Sequence, residues 1–120
     1  MKLITFEYRG GRHAGVLTPR GVAPVPEFNA KRGTRVPDDL LAIIQGGDAE
    51  QLRDSDGVGT VPLDEIVPQL PYETPPKIWC IGLNYRSHAE DIEAVQPEEP
   101  GSFMKPASCM FRPGGDIVLP

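Results

Sequence analysis

Cysteine and basic charge are both scarce in this chain of 120 residues. Its two cysteines, Cys80 and Cys109, are too few for a disulfide framework and lack the close spacing of a metal site. We therefore expect two buried, reduced thiols. Acidic residues outnumber Lys and Arg by 17 to 12, which gives a net charge of −5. Nucleic acids and membrane surfaces attract an excess of Lys and Arg, so neither is an expected partner.

Long apolar runs are also absent. No run approaches the ~18 residues that a membrane-spanning helix needs. The chain passes from Met1 and Lys2 straight into an alternating pattern, without the apolar stretch of a signal peptide. Together these absences predict a cytoplasmic protein.

Glycine and proline, by contrast, are abundant, at 13 and 14 residues. They occur about twice as often as in average proteins, which disfavours long helices and favours turns and strands. The chain is predicted to have an α+β, β-dominated fold. A hairpin and a helix are expected over residues 1–70, and further strands over 71–120. The proline-rich segment 68–76 is the predicted linker.

Within the first part, alternating apolar residues predict a hairpin of two strands and further extended segments. The predicted strands are 2–8, 13–18 and an edge strand over 21–25, followed much later by an extended segment over 60–70. His13 is expected to be exposed and without function. Residues 29–37 are predicted to form a loop, and apolar residues at helical spacing predict a helix over 38–45, with another helical turn from Asp48 in which Gln51 is the capping partner. Residues 54–57 predict a turn, because an EF-hand placed there would begin and end on leucine.

The segment 78–91 carries the strongest chemical signal. Residues 78–82 predict a buried strand, and a polar turn then leads into a helix. Ser87 and Glu90 have the spacing of a capping box, which makes Ser87 the predicted N-cap and His88 the first helical residue. Asp91 then lies one turn further on the same face, where it can orient a neutral imidazole that accepts a proton. The alternative is a surface or packing histidine.

After this segment, residues 96–101 predict a mobile loop and 102–105 predict a strand that ends at Pro106. Short β segments are predicted over 107–111 and 117–119.

Several blocks of the sequence together resemble the fumarylacetoacetate hydrolase family. They are most similar to its short bacterial members, which act as acylpyruvate hydrolases, oxaloacetate decarboxylases or hydroxy-dienedioate isomerases. The blocks that carry the specific resemblance are residues 75–89, 97–100, 103–106 and 115–120, and residues 1–6 and 14–17 resemble the small N-terminal domain of those proteins.

This resemblance implies a small N-terminal domain over residues 1–70 and the beginning of a mixed β-sheet catalytic domain over 71–120. It also implies a metal-dependent hydrolase or lyase acting on a C–C bond of a small 2-oxo or 1,3-dicarbonyl acid. Mg²⁺ or Mn²⁺ would serve as Lewis acid. His88 matches the catalytic histidine, and Asp91 stands where many members have glutamate. Lys105 matches a lysine near the mouth of the substrate-binding site. Tyr85 lies in the same local motif as His88, and Tyr85 and Lys105 are both assigned to substrate binding. A homodimer and a role in the catabolism of aromatic compounds are also implied.

The metal ligands are the main departure from the family pattern. In the family they are a Glu-x-Glu pair and a further acid that follow the position of Pro120, so none of the 17 acids here is assigned as a ligand. We expect this chain to be a fragment of a longer protein or a truncated gene product. Segments after Ile78 should then expose strand edges and apolar faces, making the chain unstable, aggregating or dependent on oligomer formation.

Other functions remain open. The chain can be a non-catalytic remnant or an association domain. A thiol enzyme using Cys80 or Cys109 is a weaker alternative, because neither cysteine has a partnering motif. Hydrolysis, decarboxylation and isomerisation are all compatible with the resemblance.

Overall fold

The alternating residues at the start of the chain form a β-hairpin. In the computed structural model, which describes residues 1–119, β1 (Lys2–Tyr8) pairs antiparallel with β2 (Gly11–Thr18). The connecting residues Arg9 and Gly10 have φ angles of 50° and 77°. Positive φ at both positions is typical of the type I′ turn that suits a two-residue hairpin loop. Both predicted strands are confirmed, with β2 beginning two residues early.

A third strand extends this hairpin into a sheet. β3 (Gly21–Pro24) pairs with β2, and β4 (Val67–Pro68) pairs with β1, giving the order β3–β2–β1–β4. β3 is thus the predicted edge strand. On its outer side the Val22 N–H donates to the Val61 carbonyl over 2.8 Å, and the Val61 N–H donates back over 2.7 Å. The exposed edge is therefore reduced at this point.

Helix α1 (Val25–Arg32) was not predicted, and it corrects the loop expected over 29–37. Pro26 lies in its first turn, where a missing N–H breaks no hydrogen bond. Glu27 in the first turn complements the helix dipole, and Gly33, with φ 67°, ends the helix in the left-handed conformation. The sequence therefore contained the start and stop signals of this helix.

Helix α2 (Leu40–Gly46) confirms the helix predicted over 38–45, beginning two residues later. The Asp39 carboxylate caps it by accepting the Ala42 N–H over 2.8 Å. Gly47, with φ 74°, ends it.

The predicted helical turn from Asp48 is a 3₁₀ helix over Asp48–Leu52. Gln51 pairs with Asp48, as predicted, but the bond joins the two side chains and does not cap the backbone. The Gln51 amide donates to the Asp48 carboxylate over 2.8 Å. At its end the Arg53 guanidinium binds the Glu50 carboxylate through two hydrogen bonds of 2.7 and 2.8 Å. These bonds and the positive charge of Arg53 lower the pKa of Glu50.

The core of this part lies between the sheet and the helices. One cluster joins β2 and β3 to α1, α2 and the 3₁₀ helix, and a second lies where β1 and β3 meet the segment before β4. The largest fully buried side chains are those of Phe6, Phe28, Ile43, Leu52, Val22 and Val25.

His13 is half-buried, which corrects its predicted exposure. Its Nδ1 lies 2.7 Å from Asp38 Oδ2, and the side chains of His13 and Asp38 are 29% and 30% exposed. The other carboxylate oxygen of Asp38 accepts the Ala14 N–H over 2.8 Å. Asp38 therefore ties β2 to the segment that leads into α2.

Residues 60–76 are only partly extended. A 3₁₀ turn at Leu63–Glu65 precedes β4. The Gln69 N–H donates to the Thr5 carbonyl and the Thr5 hydroxyl donates to the Pro71 carbonyl, both over 2.9 Å. The first half of the predicted linker is thus bound to the sheet.

The chain divides into two compact units, Met1–Tyr72 with the residues from Phe111 on, and Glu73–Met110. The domain boundary at residue 70 stays a prediction. The second unit contains an antiparallel pair, β5 (Ile78–Gly82) and β6 (Gly101–Lys105), and helix α3 (Arg86–Asp91) between them. Mixed helices and antiparallel sheets confirm the α+β class.

Several predictions for the last part were wrong. β5 is not a buried strand: Trp79 and Ile81 are 63% and 62% exposed, because a two-stranded ribbon leaves a face uncovered. Ala107–Cys109 is a 3₁₀ turn, and residues 117–119 form no strand. Pro120 lies outside the described residues. Both cysteines are free, as expected, but Cys80 is half-buried and Cys109 exposed.

Candidate functional site

A sharp turn after β5 positions helix α3. Leu83 follows Gly82 with a φ of 51°, the left-handed conformation that non-glycine residues rarely adopt. The chain bends at Leu83 and again at Tyr85, which precedes α3 in the extended conformation (φ −105°, ψ 127°). This strained residue between strand and helix is a recurrent feature of functional sites.

The N-terminus of α3 differs from the predicted capping box. Tyr85 is the N-cap, and no side chain caps the helix. Ser87 lies inside the first turn, and His88 is the third helical residue. The helix therefore begins two residues earlier than predicted.

The C-terminus of α3 closes in a Schellman motif. The Ala94 N–H donates to the Ala89 carbonyl over 2.8 Å, and the Glu93 N–H donates to the Glu90 carbonyl over 3.1 Å. Glu93 takes the left-handed conformation there, with φ 54°. A residue with a side chain thus occupies a position at which glycine is usual.

His88 and Asp91 share one face of α3, at a separation of three residues. Both side chains are exposed, whereas Ala89 is 2% exposed and anchors the helix. Within residues 1–119 no hydrogen bond joins the imidazole to the carboxylate. The helix thus brings the two groups to one turn, and their catalytic roles stay a prediction.

Lys105 lies elsewhere on the hairpin. The register pairs Lys105 with Ile78 and Gly101 with Gly82, so Lys105 is beside the start of β5 whereas α3 follows its end. Four strand residues, roughly 13 Å, separate these positions. The ammonium lies 6.0 Å from the centroid of the Phe103 ring. Tyr85, at the N-cap, is 72% exposed.

A shallow cavity of about 170 Å³ lies beside the turn that precedes α3. Its walls are residues 81–84, with Leu83 and Asn84, and the loop 96–101, with Glu98 and Glu99. Sequence reasoning identified Asn84 as a turn residue and missed the contribution of the loop. The pairing of Gly82 with Gly101 brings the loop to this turn, and only the strand register reveals that.

The described residues do not fit a divalent cation. In residues 1–119 no group of three His, Cys, Asp or Glu side chains is arranged to hold a metal ion. The acids over 54–57 form the predicted turn: the Asp56 N–H donates to the Asp54 carboxylate over 3.0 Å, and Arg32 pairs with the same carboxylate.

Comparisons with known proteins find one matching family model and several relatives. Residues 77–120 match the model of the fumarylacetoacetate (FAA) hydrolase C-terminal domain. The whole chain is 32% identical to a 2,4-didehydro-3-deoxy-L-rhamnonate hydrolase of Sphingomonas sp. and covers 39% of it. It is 29% identical to mitochondrial oxaloacetate tautomerases of Bos taurus and Homo sapiens and covers 40% of each. The chain thus spans about two fifths of the length of these relatives.

A solved structure shares the fold. A crystal structure of a protein assigned as HpcE from Mycobacterium smegmatis superposes on 99% of this chain and 41% of its own, with a TM-score of 0.70 at 22% identity.

Over residues 77–120 the chain is therefore similar to the fumarylacetoacetate hydrolase family. The segment that carries the family match, residues 77–120, contains β5, α3 and β6. The resemblance recognised in the sequence is therefore confirmed. Within the described residues no helix is long and apolar enough to cross a membrane.

Proposed function

We propose that α3 supplies the proton-transfer groups of a hydrolase or lyase that acts on a C–C bond of a small 2-oxo or 1,3-dicarbonyl acid. The observation that carries this proposal is the position of His88 and Asp91, exposed on one helix face within the segment that matches the family. An imidazole with a carboxylate one turn away is suited to accept and return a proton.

The names of the relatives support this chemistry. Tautomerisation of oxaloacetate moves a proton between the carbon beside a carbonyl and an oxygen, and the Sphingomonas relative is named as a hydrolase of a sugar-derived acid. Both activities need a group that transfers protons next to a carbonyl. In our proposal His88 takes the proton and Asp91 orients the ring.

Substrate binding is proposed for Tyr85 and Lys105. The exposed phenol of Tyr85 precedes α3 and can donate a hydrogen bond to a substrate oxygen. Lys105 can bind a carboxylate as a point charge, but the register requires a substrate or a chain movement that spans the hairpin from Ile78 to Gly82.

Family membership is consistent with a divalent cation, and we propose Mg²⁺ or Mn²⁺. When bound it would supply Lewis acidity. The residues described here do not form its site, so no step is derived through it.

The test is a hybrid enzyme. These 120 residues replace the segment of the Sphingomonas hydrolase to which they align, and the hybrid is assayed with Mg²⁺ on acetylpyruvate and oxaloacetate. We expect His88→Gln to lower turnover by about 10²–10⁴-fold, the usual contribution of a general base. Ser87→Ala, an exposed neighbour on the same helix, is the matched control. Equal turnover of the two variants would refute the role of His88.

An association domain is the second candidate, favoured by the exposed apolar face of the hairpin. Trp79 pairs with Met104, each 63% exposed, and Ile81 lies on the same face. Such a face is typical of a protein interface, and we propose a homodimer as the assembly.

A further inference from the structure

A cavity lies in the first unit, lined by residues of β1, β2, β3, α1 and the segment 59–61. It has a volume of about 500 Å³, within the range of small-molecule sites. Its apolar wall includes the half-buried Tyr8 and the buried Pro24 and Val61. Such a wall can hold the apolar part of a small ligand.

Two opposite charges border this cavity. Arg9 and Glu27 both line it, yet among residues 1–119 neither takes part in an ion pair. The Arg9 guanidinium lies over the Tyr8 ring, 5.0 Å from its centroid, which keeps it at the mouth. The Glu27 carboxylate lies beside Gly59, since a Cβ on that glycine would be 3.5 Å from Oε2.

A fixed imidazole adds a third polar group. Because a carboxylate can only accept, the 2.7 Å contact with Asp38 places a proton on Nδ1 of His13 and leaves Nε2 as an acceptor in the neutral ring. A Cβ on Gly11 would lie 2.8 Å from that Nε2. Both Gly11 and His13 line the cavity, so the missing side chain leaves Nε2 accessible there.

We propose that this cavity binds a small zwitterion, an amino acid with an apolar side chain. Arg9 binds the carboxylate, Glu27 and Nε2 of His13 accept from the ammonium, and the side chain lies against Tyr8, Pro24 and Val61. The cavity is small and offers a positive charge, a negative charge and a hydrogen-bond acceptor beside an apolar wall. These features favour an amino acid over a carboxylic acid that lacks an ammonium group. The site is independent of the proposed chemistry on α3.

The test is an NMR titration of the full chain with three probes at millimolar concentration: L-phenylalanine, 3-phenylpropionate, which lacks the ammonium, and phenethylamine, which lacks the carboxylate. L-phenylalanine should shift the amides of Gly11, Gly59 and Val61 in a saturable manner. Arg9→Gln should weaken the binding of L-phenylalanine and of 3-phenylpropionate at least tenfold, because both carry the carboxylate. The affinity for phenethylamine should be unchanged. Glu27→Gln should weaken the binding of L-phenylalanine and of phenethylamine, because both carry the ammonium. The affinity for 3-phenylpropionate should be unchanged.

The controls are Arg20→Gln and Glu65→Gln, exposed residues outside the cavity, which should leave every affinity unchanged. Because Arg9 and Glu27 are exposed, their variants should fold, and the unshifted amides report this. Absence of saturable shifts at the three amides would overturn the proposal. So would equal weakening of all three probes by either variant, or the same effect from the controls.

Discussion

At the scale of single residues, Gly21 decides whether the first sheet can close. Its φ is 128°, and a Cβ there would overlap the Val61 carbonyl oxygen, which accepts from Val22. The overlap is with backbone, which cannot rotate away. Gly33 has a similarly positive φ of 67°, but open space surrounds its Cα.

Gly21→Ala is therefore expected to lower the free energy of unfolding by about 3 kcal/mol, the upper end of overpacking effects. Gly33→Ala should lose only about 1 kcal/mol, the cost of a left-handed Cβ. Urea denaturation of both variants measures the difference, and equal losses would show that the Val61 contact is unimportant.

Capping residues provide a second test at this scale, because Asp39 caps α2 and Ser87 does not cap α3. Asp39→Ala should lower the free energy of unfolding by about 1 kcal/mol. Ser87→Ala should have no such cost, since alanine is the better helix former. A loss of about 1 kcal/mol from Ser87→Ala, measured by the same denaturation, would restore the capping box with Glu90.

At the scale of elements, α3 ends on a residue poorly suited to its conformation. Glu93 has φ 54° and is exposed. Glu93→Gly should stabilise this end by about 1 kcal/mol, because glycine has no left-handed penalty. Hydrogen exchange of the Ala94 amide, bonded to Ala89, should slow by about fivefold, as a free energy of this size implies. As a control, Ser87→Gly lies inside the helix and should accelerate the exchange of the Ala94 amide. Faster exchange of this amide in Glu93→Gly would contradict the Schellman motif.

The elements also show where sequence reasoning succeeds. β1 follows from period-two alternation, and α2 from its Asp39 cap and terminal glycines, since both signals are local. α1 was missed although Pro26 and Gly33 mark its ends, because its mostly polar residues give no clear apolar face. The start of α3 was misplaced by two residues because the left-handed Leu83 has no sequence signal.

Spatial relations between elements were harder to predict. The family motifs place Lys105 and His88 in one site, but the β5–β6 register, which a local pattern does not define, separates them. The predicted burial of β5 was wrong for a similar reason, since the burial of a strand depends on which element covers the two-stranded ribbon. The same limit applies to the cavity that Arg9, His13 and Glu27 share, because α1 and the contact with Asp38 were unforeseen.

At the scale of the whole molecule, the exposed apolar face of the hairpin predicts self-association. Sedimentation velocity should show the chain as oligomers or aggregates, and Trp79→Lys with Met104→Lys should shift it toward monomer, because both residues lie on that face. Val95→Lys, at a position that is 90% exposed outside the strands, is the control. A wild-type chain that sediments as a monomer would contradict this expectation.

The central claim is that the imidazole on α3 transfers the substrate proton. Its most direct test is the rate at which the hybrid enzyme incorporates deuterium from solvent into oxaloacetate beside the carbonyl. We predict that His88→Gln lowers this rate by about 10²–10⁴-fold, that Asp91→Asn lowers it less, and that Ser87→Ala leaves it unchanged. Exchange at the wild-type rate in His88→Gln would contradict the account.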